Sequence, residues 1–127
     1  MLIFSALTCS IITFLIGVLH LLLSMGAPIG EYVLGGQNKV IPINKRWINV
    51  ILTFIFLLVG VFYLGQSIPV QFSEIPSRVI MIAYSLFLAY AIIGNIFFTK
   101  SKKEKAMMIP ASVIGFISSL STLLLSW

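Results

Sequence analysis

Polar positions along this chain are sparse, and most recur at helical steps inside long apolar runs. Residues 2–25, 47–64, 79–98 and 107–127 consist predominantly of Leu, Ile, Val, Phe, Met and Ala. An α-helix needs about 20 predominantly apolar residues to cross the hydrocarbon of a bilayer. The pattern therefore predicts an all-α, four-transmembrane-helix bundle, a single integral membrane domain over residues 1–127. The first run is longer than a signal-peptide core, with no basic stretch before it and no small-residue cleavage site after it, so it reads as a retained helix.

Each run carries one stripe of small or polar residues. The first has Ser5, Cys9, Thr13, Gly17, His20 and Ser24, the second Asn49, Thr53, Gly60 and Tyr63, and the third Tyr84, Ala91 and Asn95. The fourth has Ala111, Ser112, Gly115, Ser119, Thr122 and Ser126. Steps of three and four put each set on one face. That face should point inward, because lipid satisfies neither hydroxyl nor amide and small residues let helix backbones approach. The ladders Cys9, Thr13, Gly17 and Ala111, Gly115, Ser119 predict that the first and fourth helices form the close pair. Pro110 is expected in the first turn of the fourth helix, where its missing donor costs least.

Composition sharpens the class. Apolar residues make up 60% of the chain and charged ones 9%, with mean hydropathy +1.15. Ordinary globular chains are roughly a quarter charged, so a soluble enzyme, a disordered chain and a disulfide scaffold are all excluded. Cys9 is the lone cysteine and has no partner for a disulfide or a two-cysteine motif.

Charge sets the orientation. Lys39, Lys45 and Arg46 fall in the first loop and Lys100, Lys102, Lys103 and Lys105 in the third, against Arg78 alone on the opposite side. The positive-inside rule then predicts a cytoplasmic lysine-bearing face and both termini outside, with Trp47 at the inner interface and Trp127 at the outer one. The net charge of +5 is accounted for by orientation and anionic lipid headgroups, with no nucleic-acid partner. The segment 100–105 reads as a loop that anchors topology. Residues 66–78, with Pro69 and Pro76, read as an irregular outer connector.

The strongest polar groups cluster toward the lysine-bearing side: His20, Ser24, Asn49, Thr53, Asn95 and Ser112. Together they predict a small polar pocket in the cytoplasmic half, with His20 its one readily titratable member. An ionisable residue at membrane depth points to function by default, and imidazole changes charge near neutrality. The competing explanation is a neutral His in a structural hydrogen-bond network, with the stripes serving packing alone, since no carboxylate lies within the predicted spans.

The first loop adds Glu31. Pro28 can start a helical turn, Glu31 suits the positive end of its dipole, and Gly35 can stop it. A short amphipathic or re-entrant segment here would cap the pocket and bring Glu31 toward His20; the alternative is a plain interfacial loop with Glu31 solvated. His20, the run Gly26-Ala27-Pro28-x-Gly30-Glu31-x-x-x-Gly35-Gly36 and Pro42 resemble small bacterial four-span membrane proteins of unassigned function. The resemblance covers about a fifth of the chain and implies a membrane location with this loop as the signature; it supplies no substrate.

Several mechanisms lack their residues. Small multidrug transporters depend on a membrane-embedded Glu in the first helix, and this first helix has no acid. There is no GxxxxGK[ST] run, no HExxH, and no Asp to complete a Ser-His-Asp triad. No cofactor or metal is expected. The leading expectation is a non-enzymatic cell-membrane protein, in contact with membrane lipid, that binds a small molecule, a lipid or a membrane protein partner through His20, Ser24, Glu31, Asn49, Thr53, Asn95 and Ser112. The alternatives are a small membrane enzyme using His20 with Glu31, and a structural or assembly subunit without a ligand; the chain also leaves room for a homo-oligomer.

Overall fold

The computed structural model describes residues 2–30, 40–67, 74–97 and 102–125, with the side chains of the third stretch described from Ser77 onward. Four helices account for nearly all of them: α1 (Leu2–Ser24), α2 (Arg46–Ser67, entered through a 3-10 turn at Ile43–Lys45), α3 (Glu74–Phe97) and α4 (Lys102–Leu125). All four are long and apolar enough to cross a membrane.

Polar side chains fix their mutual register. Ser10 donates to the Gly60 carbonyl at 2.8 Å and His20 meets Asn49 at 2.9 Å, so α1 and α2 run antiparallel. Thr122 donates to Ser5 while Gly115 lies near Ile12, and Ser85 meets Ser119 while Asn95 faces Ser112, so α4 runs antiparallel to both α1 and α3. The stripes face inward as lipid exclusion requires: Cys9, Thr13, Asn49, Ser119 and Thr122 are completely buried. Leu15, Phe54, Leu58 and Leu86 are among the large apolar residues that cover the outside.

The closest partner of α1 is α2, not α4 as the small-residue ladders predict, although α1 also packs on α4. Interlocking explains the difference. The Phe14 ring lies against Gly60, while Phe56 and Leu57 lie against Gly17, so each of these two helices offers a glycine groove to the other's bulk. The backbones of α2 and α3 stay further apart, bridged by rings: Phe56 meets Phe87 at 6.0 Å and Tyr63 meets Tyr84 at 5.6 Å between centroids.

Two boundaries differ from the sequence expectation. Helix α4 starts at Lys102, so most of the lysine-rich segment is helical and Pro110 lies in the helix interior rather than in its first turn. On the other side of the bundle, α2 runs through Gln66 to Ser67 and α3 begins at Glu74. Most of the expected outer connector is thus helical, and Pro76 occupies the first turn of α3, where its lost N–H had no intrahelical acceptor.

A Schellman turn ends α1. Gly26 has φ 94°, and the N–H groups of Gly26 and Ala27 donate to the carbonyls of Leu23 and Leu22. The chain then brings Ile29 and Ile41 against Leu23, with Leu19 and Met108 alongside. Arg46 secures this cover, donating from Nε to the Ile41 carbonyl at 2.9 Å, with its guanidinium against Gly26. Of the expected re-entrant segment starting at Pro28, the part from Glu31 onward falls within residues 31–39, outside the described residues.

Candidate functional site

At the lysine-bearing end of the bundle the four helices do not close on one another. A cavity of about 240 Å³ lies among them, walled mainly by Ile16, Leu52, Phe56, Phe87, Leu88 and Met108. Four polar side chains share its lining: His20 from α1, Asn95 from α3, and Glu104 and Ser112 from α4.

His20 is 5% exposed. Its ring stacks on Phe56 with centroids 5.5 Å apart and planes 7° from parallel. Nδ1 lies 2.9 Å from Asn49 Oδ1. A carboxamide oxygen only accepts, so with the Asn49 amide in this orientation Nδ1 carries the proton and donates, and in the neutral ring Nε2 keeps its lone pair. Asn49 thus acts from behind, orienting the imidazole without lining the cavity. Its Nδ2 is completely enclosed with no hydrogen-bond partner among the described residues.

Asn95 directs Nδ2 at the Ser112 hydroxyl across 3.5 Å, a loose contact between α3 and α4. Two other sequence candidates are satisfied by their own helices. Thr53 donates back to the Asn49 carbonyl at 2.7 Å, and Ser24 to the Leu21 carbonyl at 2.6 Å. Neither lines the cavity. Among the candidate residues, then, the structure brings His20, Asn95 and Ser112 to one space with Asn49 in support, and sets Ser24 and Thr53 aside.

Glu104 is the residue that sequence reasoning missed. By sequence it stands among the lysines of a basic segment, yet it lies in the first turn of α4 and is only 7% exposed, while Lys102 and Lys103 point outward. The signal was available: stepping back from Ser112 by four and by eight gives Met108 and Glu104, a continuation of the stripe that runs on through Gly115, Ser119 and Thr122. A carboxylate therefore shares the lining of the imidazole's cavity, although the apolar spans read from sequence hold none.

The opposite half is polar as well, but it is packed. Tyr63 and Ser85 both meet the Ser119 hydroxyl, and Thr13 meets the Tyr84 hydroxyl at 2.8 Å. These groups satisfy one another across helices, and beside them on the same half a cleft of about 640 Å³ lies between α1 and α4, lined by Ser5, Thr8, Ser118 and Ser121 among apolar side chains. Among the described residues no cluster of His, Cys, Asp or Glu could hold a metal ion. Compared with known protein families, with curated proteins and with solved structures, the chain matches none of them.

Proposed function

We propose that this is a multi-pass membrane protein that binds an amphiphilic small molecule or lipid in the cavity at its lysine-bearing end. By the positive-inside rule that end faces the cytoplasm, with seven of the eight cations on it, and both termini lie outside. One observation carries the reading: an apolar, open-sided cavity among the four helices on which His20, Asn95, Glu104 and Ser112 converge from three of them. Ligand sites are built this way, with apolar walls giving affinity and a few polar groups giving orientation. A purely structural subunit would instead favour a dry, filled interior.

The enzymatic alternative has a specific observation in its favour, namely that His20 and Glu104 line one cavity and that Asn49 fixes the imidazole tautomer. Binding is preferred because the hydrogen bond His20 makes among the described residues goes to the Asn49 amide, whereas an activated nucleophile would need a hydroxyl or thiol there.

The test is thermal unfolding of the purified protein in a neutral maltoside detergent, with a panel of short-chain amphiphiles of positive, negative and zero charge. At a concentration about ten times Kd, a bound ligand should raise Tm by about 5 °C. In Ala91→Phe, which places a ring in the cavity, that rise should vanish while the unliganded protein still unfolds cooperatively. Absence of any ligand-dependent rise in the wild type, or an equal rise in Ala91→Phe, would overturn the proposal.

A further inference from the structure

The polar groups around the cavity are weighted toward hydrogen-bond acceptors, and this bears on which ligand it takes; the inference rests on the binding reading above. His20 uses its Nδ1–H on Asn49, so the neutral ring retains an acceptor at Nε2. Asn95 directs one of its two amide N–H groups at Ser112 and keeps the other beside its Oδ1 acceptor, and Ser112 retains its own O–H; with Glu104 added, acceptor sites still outnumber these two donors. Glu104 supplies two carboxylate oxygens with about four lone-pair sites between them; it has interactions of its own within the chain, and a ligand N–H would join them. Phe56 and Phe87 add aromatic rings to the same lining, and ring faces attract cations. An anionic head would meet the carboxylate in a space where low dielectric strengthens repulsion.

From this we propose that the cavity receives a primary ammonium group carried on an alkyl chain. Sites for drug-sized ligands run to roughly 300–1,000 Å³, so the 240 Å³ here suits the head and its first methylenes. The rest of the chain would need a neighbouring cleft. A second cleft of about 360 Å³ lies between α2 and α3, lined by Ile55, Val59, Ile80 and Ala83 among others, and it shares Leu52, Phe56 and Phe87 with the cavity. This is the side on which the two backbones stay apart and rings bridge them. An alkyl tail lying in that cleft would face the bilayer while its ammonium group sits among Glu104, Asn95 and His20. A soluble alkylamine fits this description directly; the headgroup of an ethanolamine lipid offers the same ammonium, with its phosphate, two carbons away, left outside the cavity.

The experiment compares hexylamine, hexanol, hexanoate and hexyltrimethylammonium by thermal unfolding of the wild-type chain in maltoside detergent. Hexylamine should raise Tm by about 5 °C at about ten times its Kd. The alcohol and the carboxylate should give little, and the quaternary amine, charged but without N–H donors, should give less than half the hexylamine shift. Glu104→Gln should abolish the hexylamine response. If that variant does not fold, the hexylamine and hexyltrimethylammonium comparison on the wild type decides by itself. A hexylamine shift no larger than that of hexanol, or matched by the quaternary amine, overturns the ammonium assignment. If hexanol or hexanoate then stabilises the wild type but not Ala91→Phe, the binding cavity stands and only the ligand class falls. Nanodiscs of phosphatidylcholine with and without phosphatidylethanolamine separate the sources. A lipid ligand raises Tm in the ethanolamine-containing discs and removes the added effect of hexylamine, whereas a soluble ligand leaves the hexylamine shift the same in both.

Discussion

His20 reaches across the α1–α2 seam to Asn49, and both side chains are withdrawn from lipid. Hydrogen bonds between membrane helices are worth less than their burial implies, averaging about 0.6 kcal/mol and reaching about 1.7 kcal/mol in double-mutant cycles. The His20–Asn49 bond should fall toward the upper end of that range, because Asn49 is completely buried and no described residue takes its place as acceptor for the imidazole N–H. A double-mutant cycle with His20→Ala and Asn49→Ala, read by reversible unfolding in detergent, is expected to give a coupling of about 1–1.7 kcal/mol. Strict additivity would mean that the two side chains do not interact. Thr53 provides the contrast at this scale. It is buried beside the same seam, but its hydroxyl returns to its own helix, so Thr53→Val should change ligand response very little in the thermal-unfolding assay.

Helix contacts here are set by where bulk meets its absence. A Cβ added at Gly60 would approach the Phe14 ring to 2.9 Å, whereas at Gly94 it would meet nothing within 4 Å. Gly60→Ala must therefore displace Phe14, at a cost of about 1–3 kcal/mol typical of overpacking. Gly94→Ala removes only a helix-interior glycine and should stabilise by about 0.5–1 kcal/mol. Equilibrium unfolding of the two variants checks the opposite signs. The four helices were legible in the sequence because the hydrophobic runs have the length of a bilayer and because Cys9, Thr13 and Ser119 step along one face each. The preference of α1 for α2 was not legible, since small-residue ladders on α1 and α4 say nothing of which partner carries the fitting ring; Phe14 and Phe56 decide it. The start of α4 was hidden by charge. Lysines near a helix N-terminus oppose the macrodipole and read as loop, while Glu104 in the same turn favours it.

At the scale of the whole molecule the two halves divide their labour. One end is knit by Tyr63, Ser85, Ser119, Thr13 and Tyr84, hydroxyl to hydroxyl. The lysine-bearing end holds an open-sided cavity instead, and next to it Ile29 and Ile41 pack on Leu23 while Arg46 donates to the Ile41 carbonyl. His20, Asn95 and Ser112 were legible as members of a polar cluster at that end. Glu104 was not, because its neighbours Lys102, Lys103 and Lys105 disguised the first turn of a membrane helix as a basic loop, and the function proposed here depends on that turn aiming its carboxylate into the bundle. The most direct measurement is the maleimide labelling rate of single cysteines at positions 102, 103 and 104, introduced one at a time into a Cys9→Ala background in native membranes opened on both sides. The structure predicts fast labelling for Lys102→Cys and Lys103→Cys and labelling at least about tenfold slower for Glu104→Cys, since the first two side chains are exposed and the third is buried. Equal rates at all three positions would mean a solvated segment with its acid in water, and would contradict the account.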